Sequence, residues 1–208
     1  MRGFDAILFD FDGVLIDSEP LHCASWAEVL APFGVQLAWE IYRDRYRGID
    51  DRVMLQSLAA AANPPLDWEE LWKQYPAKLK LFCQKMERAQ FPPELPELLK
   101  RLYADYKLAV VSSSSRIEIE PPLAAGKLRG YLGALVFGED VERIKPAPDP
   151  YLLAARLLGA ERPLVVEDSP AGIASGRAAG FEVLPVTSVS EMPAALIGRL
   201  SGNPLPAG

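Results

Sequence analysis

Histidine is nearly missing from this chain, which carries one, and cysteine is scarce at two. A single histidine excludes a histidine-rich metal centre, and two cysteines among 208 residues exclude a disulfide framework. Cys23 and Cys83 therefore read as reduced, buried thiols, and without a leader-like segment the expected setting is the cytoplasm. Long apolar runs are absent as well. The run AILF at 6–9 is bounded by Asp5, Asp10 and Asp12, and no stretch approaches the ~18 apolar residues of a membrane span. Excess basic charge is the fourth absence: 22 Lys and Arg face 28 Asp and Glu, a net charge of −6. That balance excludes a basic nucleic-acid footprint and an anionic membrane surface as partners. An anionic substrate would have to be met by local positive charge, from a metal or from a placed Lys or Arg.

Half of the residues are hydrophobic, enough for a substantial core in one large domain or one domain with an insertion. A chain of this size can stand as a monomer. AILF at 6–9, LAVV at 108–111 and LVV at 164–166 are continuous apolar runs, as expected of strands buried on both faces of a parallel sheet. ALVF at 134–137 and VLPV at 183–186 are weaker versions. Each strong run closes in polar residues, and helical segments separate them. The pattern predicts an open α/β sheet with its polar residues gathered at the carboxyl ends of the strands, where sites form in such sheets.

The segment from 17 to 90 differs, being almost entirely helical in pattern. Pro20 suits a helix start, and Trp26, Val29, Leu30 and Phe33 follow at helical spacing until Gly34. Trp68, Leu71, Trp72, Tyr75, Leu79, Phe82 and Met86 form a second stripe that Pro76 should kink or split. These aromatics read as core packing. The predicted organisation is a doubly wound core over 1–16 and 91–208 with an inserted, four-helix-like cap over 17–90, hinged near 15–19 and 91–93. The tail 201–208 has little to bury and is expected to be disordered.

Four polar points can carry chemistry. Asp10 and Asp12 lie two apart beyond a strand, so both carboxylates can reach one site. Their repulsion calls for a metal, a cation or a shared proton, unless they are merely a solvated Asp-Gly turn. Glu167-Asp168-Ser169-Pro170 either caps a helix or offers hard oxygen ligands of the kind Mg²⁺ takes. Lys145, ahead of Pro146, is either an exposed lysine or the fixed ammonium that a carboxylate-rich anion site needs. Ser112 opens a run of four serines whose hydroxyls and N–H groups can cradle an anion, or which is a plain polar loop. His22 could bond Asp12 or simply pack. A Ser–His–Asp triad is ruled down because no G-x-S-x-G turn is present.

Asp10-Phe11-Asp12-Gly13-Val14 with Asp17, Ser18, Glu19 and His22, then Ser112, then Lys145-Pro146, then Glu167-Asp168-Ser169 with Ala171-Gly172, resemble the haloacid dehalogenase superfamily. The resemblance is to its branch with a helical cap after the first motif, which includes β-phosphoglucomutase and phosphoglycolate-type phosphatases. Four motifs in order, with the insertion in place, cover nearly the whole chain. The resemblance implies a Rossmann-like core and a phosphatase of small phosphorylated metabolites. Asp10 would be the nucleophile that forms an aspartyl-phosphate, and Asp12 the general acid and then base. Mg²⁺ would be held by Asp10, the Asp12 main-chain carbonyl, Asp168 and, directly or through water, Glu167. Lys145, Ser112, Ser113 and Gly13 would surround the phosphoryl group. His22 would help to position Asp12, and closure of the cap would exclude bulk water. The second Asp favours phosphate esters over carbon–halogen or phosphonate substrates.

Two features depart from the pattern. A phosphomutase must clamp a second phosphate, and β-phosphoglucomutase does so with an arginine three residues after a cap glycine. Here Gly48 is followed at that distance by Asp51, with Arg52 one position later, which lowers the mutase reading and favours hydrolysis. Arg52, Arg43, Arg45, Arg47, Lys78 or Lys80 could take over the clamp, although such cations are usually a solvated face. Pro121-Pro122 should delay the helix after the second motif. A catalytically idle binding module would be expected to lack one of Asp10, Asp12, Lys145 or Asp168, and none is missing.

Overall fold

A computed structural model describes residues 3–202. All five strand runs form strands: β1 (Ala6–Phe9), β2 (Lys107–Val111), β3 (Ala134–Val136), β4 (Pro163–Glu167) and β5 (Glu182–Pro185). They build one parallel sheet in the order β3-β2-β1-β4-β5. In register, Phe9 lies between Val110 and Val166, so β1, β2 and β4 end side by side. The chain winds away from β1 in both directions, which opens a crevice beyond the carboxyl ends of the central strands. β1 is wholly buried, and helices cover the sheet. On one face α8 (Asp149–Leu158) lays Tyr151 and Ala154 against Leu8, Ala109, Val136 and Val165. α9 (Pro170–Ala178) lies so close to the sheet that a Cβ on Gly176 would press on Val183 and Val165. α6 (Leu95–Tyr103) packs on β2 and α10 (Met192–Leu200) on β5.

The chain divides into two compact units, Met1–Asp17 with Gln90–Gly208, and Ser18–Ala89. The second unit is helical throughout: α1 (Glu19–Leu30), a 3-10 turn, α2 (Trp39–Arg45), α3 (Asp51–Ala61), α4 (Trp68–Trp72) and α5 (Tyr75–Met86). Pro76 splits the long aromatic stripe, sitting in the first turn of α5, where its missing N–H is tolerated. That split makes five α-helices of the expected four. Trp26, Leu30, Leu55 and Leu71 are buried in a core of this unit's own.

One helix start differs from the sequence reading. α7 (Arg116–Ala125) begins directly after the second motif and carries Pro121 and Pro122 inside it. Glu118 accepts hydrogen bonds from both the N–H and the hydroxyl of Ser115, at 2.9 and 2.7 Å, so the start is built by this cap and the prolines do not delay it. The tail expectation at 203–208 falls outside the described residues. No helix among those described is long and apolar enough to cross a membrane.

Candidate active site

Asp10 follows β1, Ser112 follows β2, and Glu167 ends β4, which brings three polar residues from distant parts of the chain to adjoining strand tips. Lys145 enters from the loop ahead of α8. Its Nζ donates to Asp10 Oδ1 at 2.5 Å, Glu167 Oε1 at 2.6 Å and the Val111 carbonyl at 2.9 Å. An ammonium has three protons, and each has an acceptor here. With only 5% of its side chain exposed, Lys145 is a fixed buried charge.

Glu167 is completely buried and acts as a hub. Its Oε1 also accepts the Tyr151 hydroxyl at 2.9 Å. Its Oε2 accepts the backbone N–H groups of Asp168 and Ser169 and the Ser169 hydroxyl, each at 3.0 Å. A Cβ on Gly172 would overlap this carboxylate, so the bare glycine is what lets α9 pass it. Ser169 caps α9 by accepting the Gly172 N–H at 3.0 Å. Gly13 has a left-handed φ of +80°, and a Cβ there would overlap the Asp168 carboxylate.

Asp10, Glu167 and Asp168 each offer a carboxylate oxygen, all within 4.8 Å of one another. Asp10 and Glu167 share the Lys145 ammonium between them. Burial, reinforced by Glu167, pushes the Asp10 carboxyl well above the usual carboxylate range although Lys145 opposes it. Burial would also raise Glu167, but the Lys145 charge together with hydrogen bonds from Lys145, Ser169 and Tyr151 holds it below its ordinary value. Burial disfavours the Lys145 ammonium, yet Asp10 and Glu167 hold its pKa well above normal. A hard divalent cation fits this oxygen-only donor set.

The serine run is sorted by the structure. Ser112 is buried, and its Oγ accepts the Ser114 N–H at 3.0 Å, leaving its own proton for an anion. Ser113 is exposed, and its carbonyl lies where a Cβ on Gly138 would overlap it. Ser114 donates its hydroxyl to Asp12 Oδ2 at 3.1 Å. Residue type singles out neither Ser114 nor Tyr151: Ser114 is one of four alike, and Tyr151 is a helix residue with no local motif.

His22 and Arg52 belong to the helical unit. His22 stacks on Phe82 with ring centroids 3.9 Å apart, and Lys78 Nζ lies 2.9 Å from its Nδ1. An ammonium can only donate, so Nδ1 accepts and the ring proton sits on Nε2. Burial and the Lys78 charge push the His22 pKa well below its ordinary value. Lys78 itself is 1% exposed and pairs with Asp51 Oδ2 at 3.4 Å, while Asp51 Oδ1 accepts the Trp26 indole N–H at 2.8 Å. Lys78 is thus not part of a solvated face. The spacing of Tyr75, Phe82 and Met86 already put it on the apolar side of α5. Arg52 is exposed, with its guanidinium 4.6 Å above the Trp72 ring.

A family model described as haloacid dehalogenase-like hydrolase matches residues 7–186. The chain is 30% identical over 181 residues to a phosphorylated carbohydrates phosphatase of Thermotoga maritima, covering 86% of this chain and 82% of that protein. It is 29% identical over 185 residues to the fructose-1-phosphate phosphatase YqaB of Escherichia coli, covering 88% and 96%. Among solved structures, CbbY from Rhodobacter sphaeroides in complex with phosphate superposes with a TM-score of 0.70 at 28% identity, covering 88% of this chain and 87% of that one.

Proposed function

The chain belongs to the haloacid dehalogenase-like hydrolases, and we propose that it is a Mg²⁺-dependent phosphatase of a small phosphorylated sugar or polyol that works through an aspartyl-phosphate. The observation that carries this reading is the Lys145 ammonium bonded at once to Asp10 and Glu167, with Asp168 beside them. Relatives named as carbohydrate phosphatases support the substrate class.

Asp10 Oδ attacks phosphorus and the bond to the ester oxygen breaks. Asp12 hands its proton to the departing alkoxide, so the product leaves as a neutral alcohol. In the second step Asp12 takes a proton from water, whose oxygen attacks phosphorus and frees the Asp10 carboxylate and inorganic phosphate. Ser112 would donate a hydrogen bond to a phosphoryl oxygen and the Lys145 ammonium would offset its charge, with Ser113 and Gly13 at the edges of that cradle. Asp10, the Asp12 main-chain carbonyl and Asp168 would hold Mg²⁺. Glu167 would join through water, because its oxygens already accept the hydrogen bonds of Lys145, Tyr151, Asp168 and Ser169. The ion supplies positive charge against the phosphoryl oxygens. His22, neutral and carrying its proton on Nε2, is a donor suited to steadying a carboxylate.

Asp51 weighs against a phosphomutase, since it is an anion already paired with Lys78, where a second phosphate would need a cation. Neither Cys23 nor Cys83 is in a disulfide, which suits a reducing cytoplasmic setting. The test is a panel of phosphorylated sugars and polyols assayed with Mg²⁺ for inorganic phosphate. Isomerisation of a hexose 1-phosphate without phosphate release would turn the reading to a mutase.

A further inference from the structure

Ser114 has no role in the phosphoryl cradle described above, yet its side chain is tied to the acid. Its hydroxyl donates to Asp12 Oδ2 at 3.1 Å. Its backbone is fixed at both ends of the residue. The Ser114 N–H donates to Ser112 Oγ at 3.0 Å, and the Ser114 carbonyl accepts the Gly138 N–H at 3.1 Å. Bare Gly138 permits that approach, since a Cβ there would overlap the neighbouring Ser113 carbonyl. The hydroxyl is therefore presented from a rigid mount, while Asp12 sits in the turn after β1 and is only partly buried.

We infer that Ser114 is a positioning residue for Asp12. This rests on the proposed function, in which Asp12 moves the proton. A hydroxyl donated to Oδ2 restricts the plane of the Asp12 carboxylate, and so the direction in which it meets the ester or the water. The same serine run would then do two things. Ser112 would hold the phosphoryl group, and its Oγ, through the Ser114 N–H, would set the distance from that group to the hydroxyl that aims the acid. General acid–base catalysis contributes roughly 10²–10⁴-fold, and a misplacement of ~1 Å can forfeit much of such a term. The loss should appear in kcat and not in KM, as expected of a residue that acts through Asp12.

Ser114→Ala keeps both backbone hydrogen bonds and should fold. Its kcat for a hexose phosphate should fall by roughly 10- to 100-fold with KM little changed. Ser114→Thr, which keeps the hydroxyl, should recover most of that loss. The rapid release of p-nitrophenolate from p-nitrophenyl phosphate, a leaving group that needs no proton, should fall much less. In crystals of Ser114→Ala the Asp12 carboxylate should leave its wild-type position. Equal losses with both esters, or an unmoved Asp12 carboxylate, would overturn the assignment. Wild-type protein that hydrolyses neither ester would overturn the proposed function instead, and the crystallographic comparison would still decide the role of Ser114.

Discussion

The Asp168 carboxylate lies against the bare Cα of Gly13, in space that any side chain at position 13 would occupy. One residue belongs to the turn after β1 and the other to the turn after β4, so the contact welds two neighbouring strand tips. Gly13→Ala meets two obstacles there, the overlap and a φ of +80° that L side chains rarely adopt. Displacing a carboxylate from a metal's surroundings typically costs about 10–100-fold in affinity. Mg²⁺ titration by calorimetry should show that weakening, with phosphatase activity falling in parallel. Wild-type Mg²⁺ affinity in the variant would mean that Asp168 is no ligand.

Lys145→Met should be costly for the fold as well as for turnover. It removes the one ammonium bonded to both Asp10 and Glu167 and leaves buried carboxylates facing one another. Breaking a buried pair in this way costs about 3–5 kcal/mol. Urea unfolding at neutral pH should show a loss of that order, and added Mg²⁺ should return part of it by supplying the missing charge.

Asp10→Asn should separate stability from activity. The Asp10 carboxyl is held above the carboxylate range by burial and by Glu167. A raised folded pKa means that its contribution to stability is complete below the unfolded value of about 3.9 and disappears as pH rises through the folded value. The neutral amide removes that penalty, while Lys145 keeps Glu167 as a partner. Metal-free Asp10→Asn should melt at or above the wild-type temperature at neutral pH. Turnover should drop by roughly 10⁴-fold or more. A variant that melts well below wild type would contradict the charge argument.

His22 should make the protein pH-sensitive in the opposite sense. Burial and the Lys78 charge depress its folded pKa, so protons bind the unfolded chain better. Its contribution is present above the unfolded value of about 6.5 and is lost as pH falls towards the folded value, with a slope of up to ~1.4 kcal/mol per pH unit. Urea midpoints for wild type and His22→Gln, compared from about pH 8 down to about pH 5, should converge on the acid side. His22 is the only histidine, so the difference between the curves belongs to it alone. Parallel curves would show that the ring is not held neutral.

Much of the architecture could be read from one dimension because it rests on local rules. Apolar runs closed by Asp10, Ser112 and Glu167 announced buried strands with polar tips, and Pro76 announced a break between α4 and α5. Pro121 and Pro122 misled, because the strength of the Ser115–Glu118 cap depends on side-chain geometry that residue types do not show.

Composition and the order of the motifs were enough to define the fold class, the family and the residues that could carry chemistry, since these depend on residue type, periodicity and spacing. Which candidates share a hydrogen bond was settled in three dimensions. Lys145 lies 22 residues from Glu167 and 135 from Asp10, and Ser114 lies 102 from Asp12. Separations that long leave no local pattern. They are closed when the parallel sheet sets β1 between β2 and β4, and the burial that follows ties Lys145, Asp10 and Glu167 into one electrostatic unit.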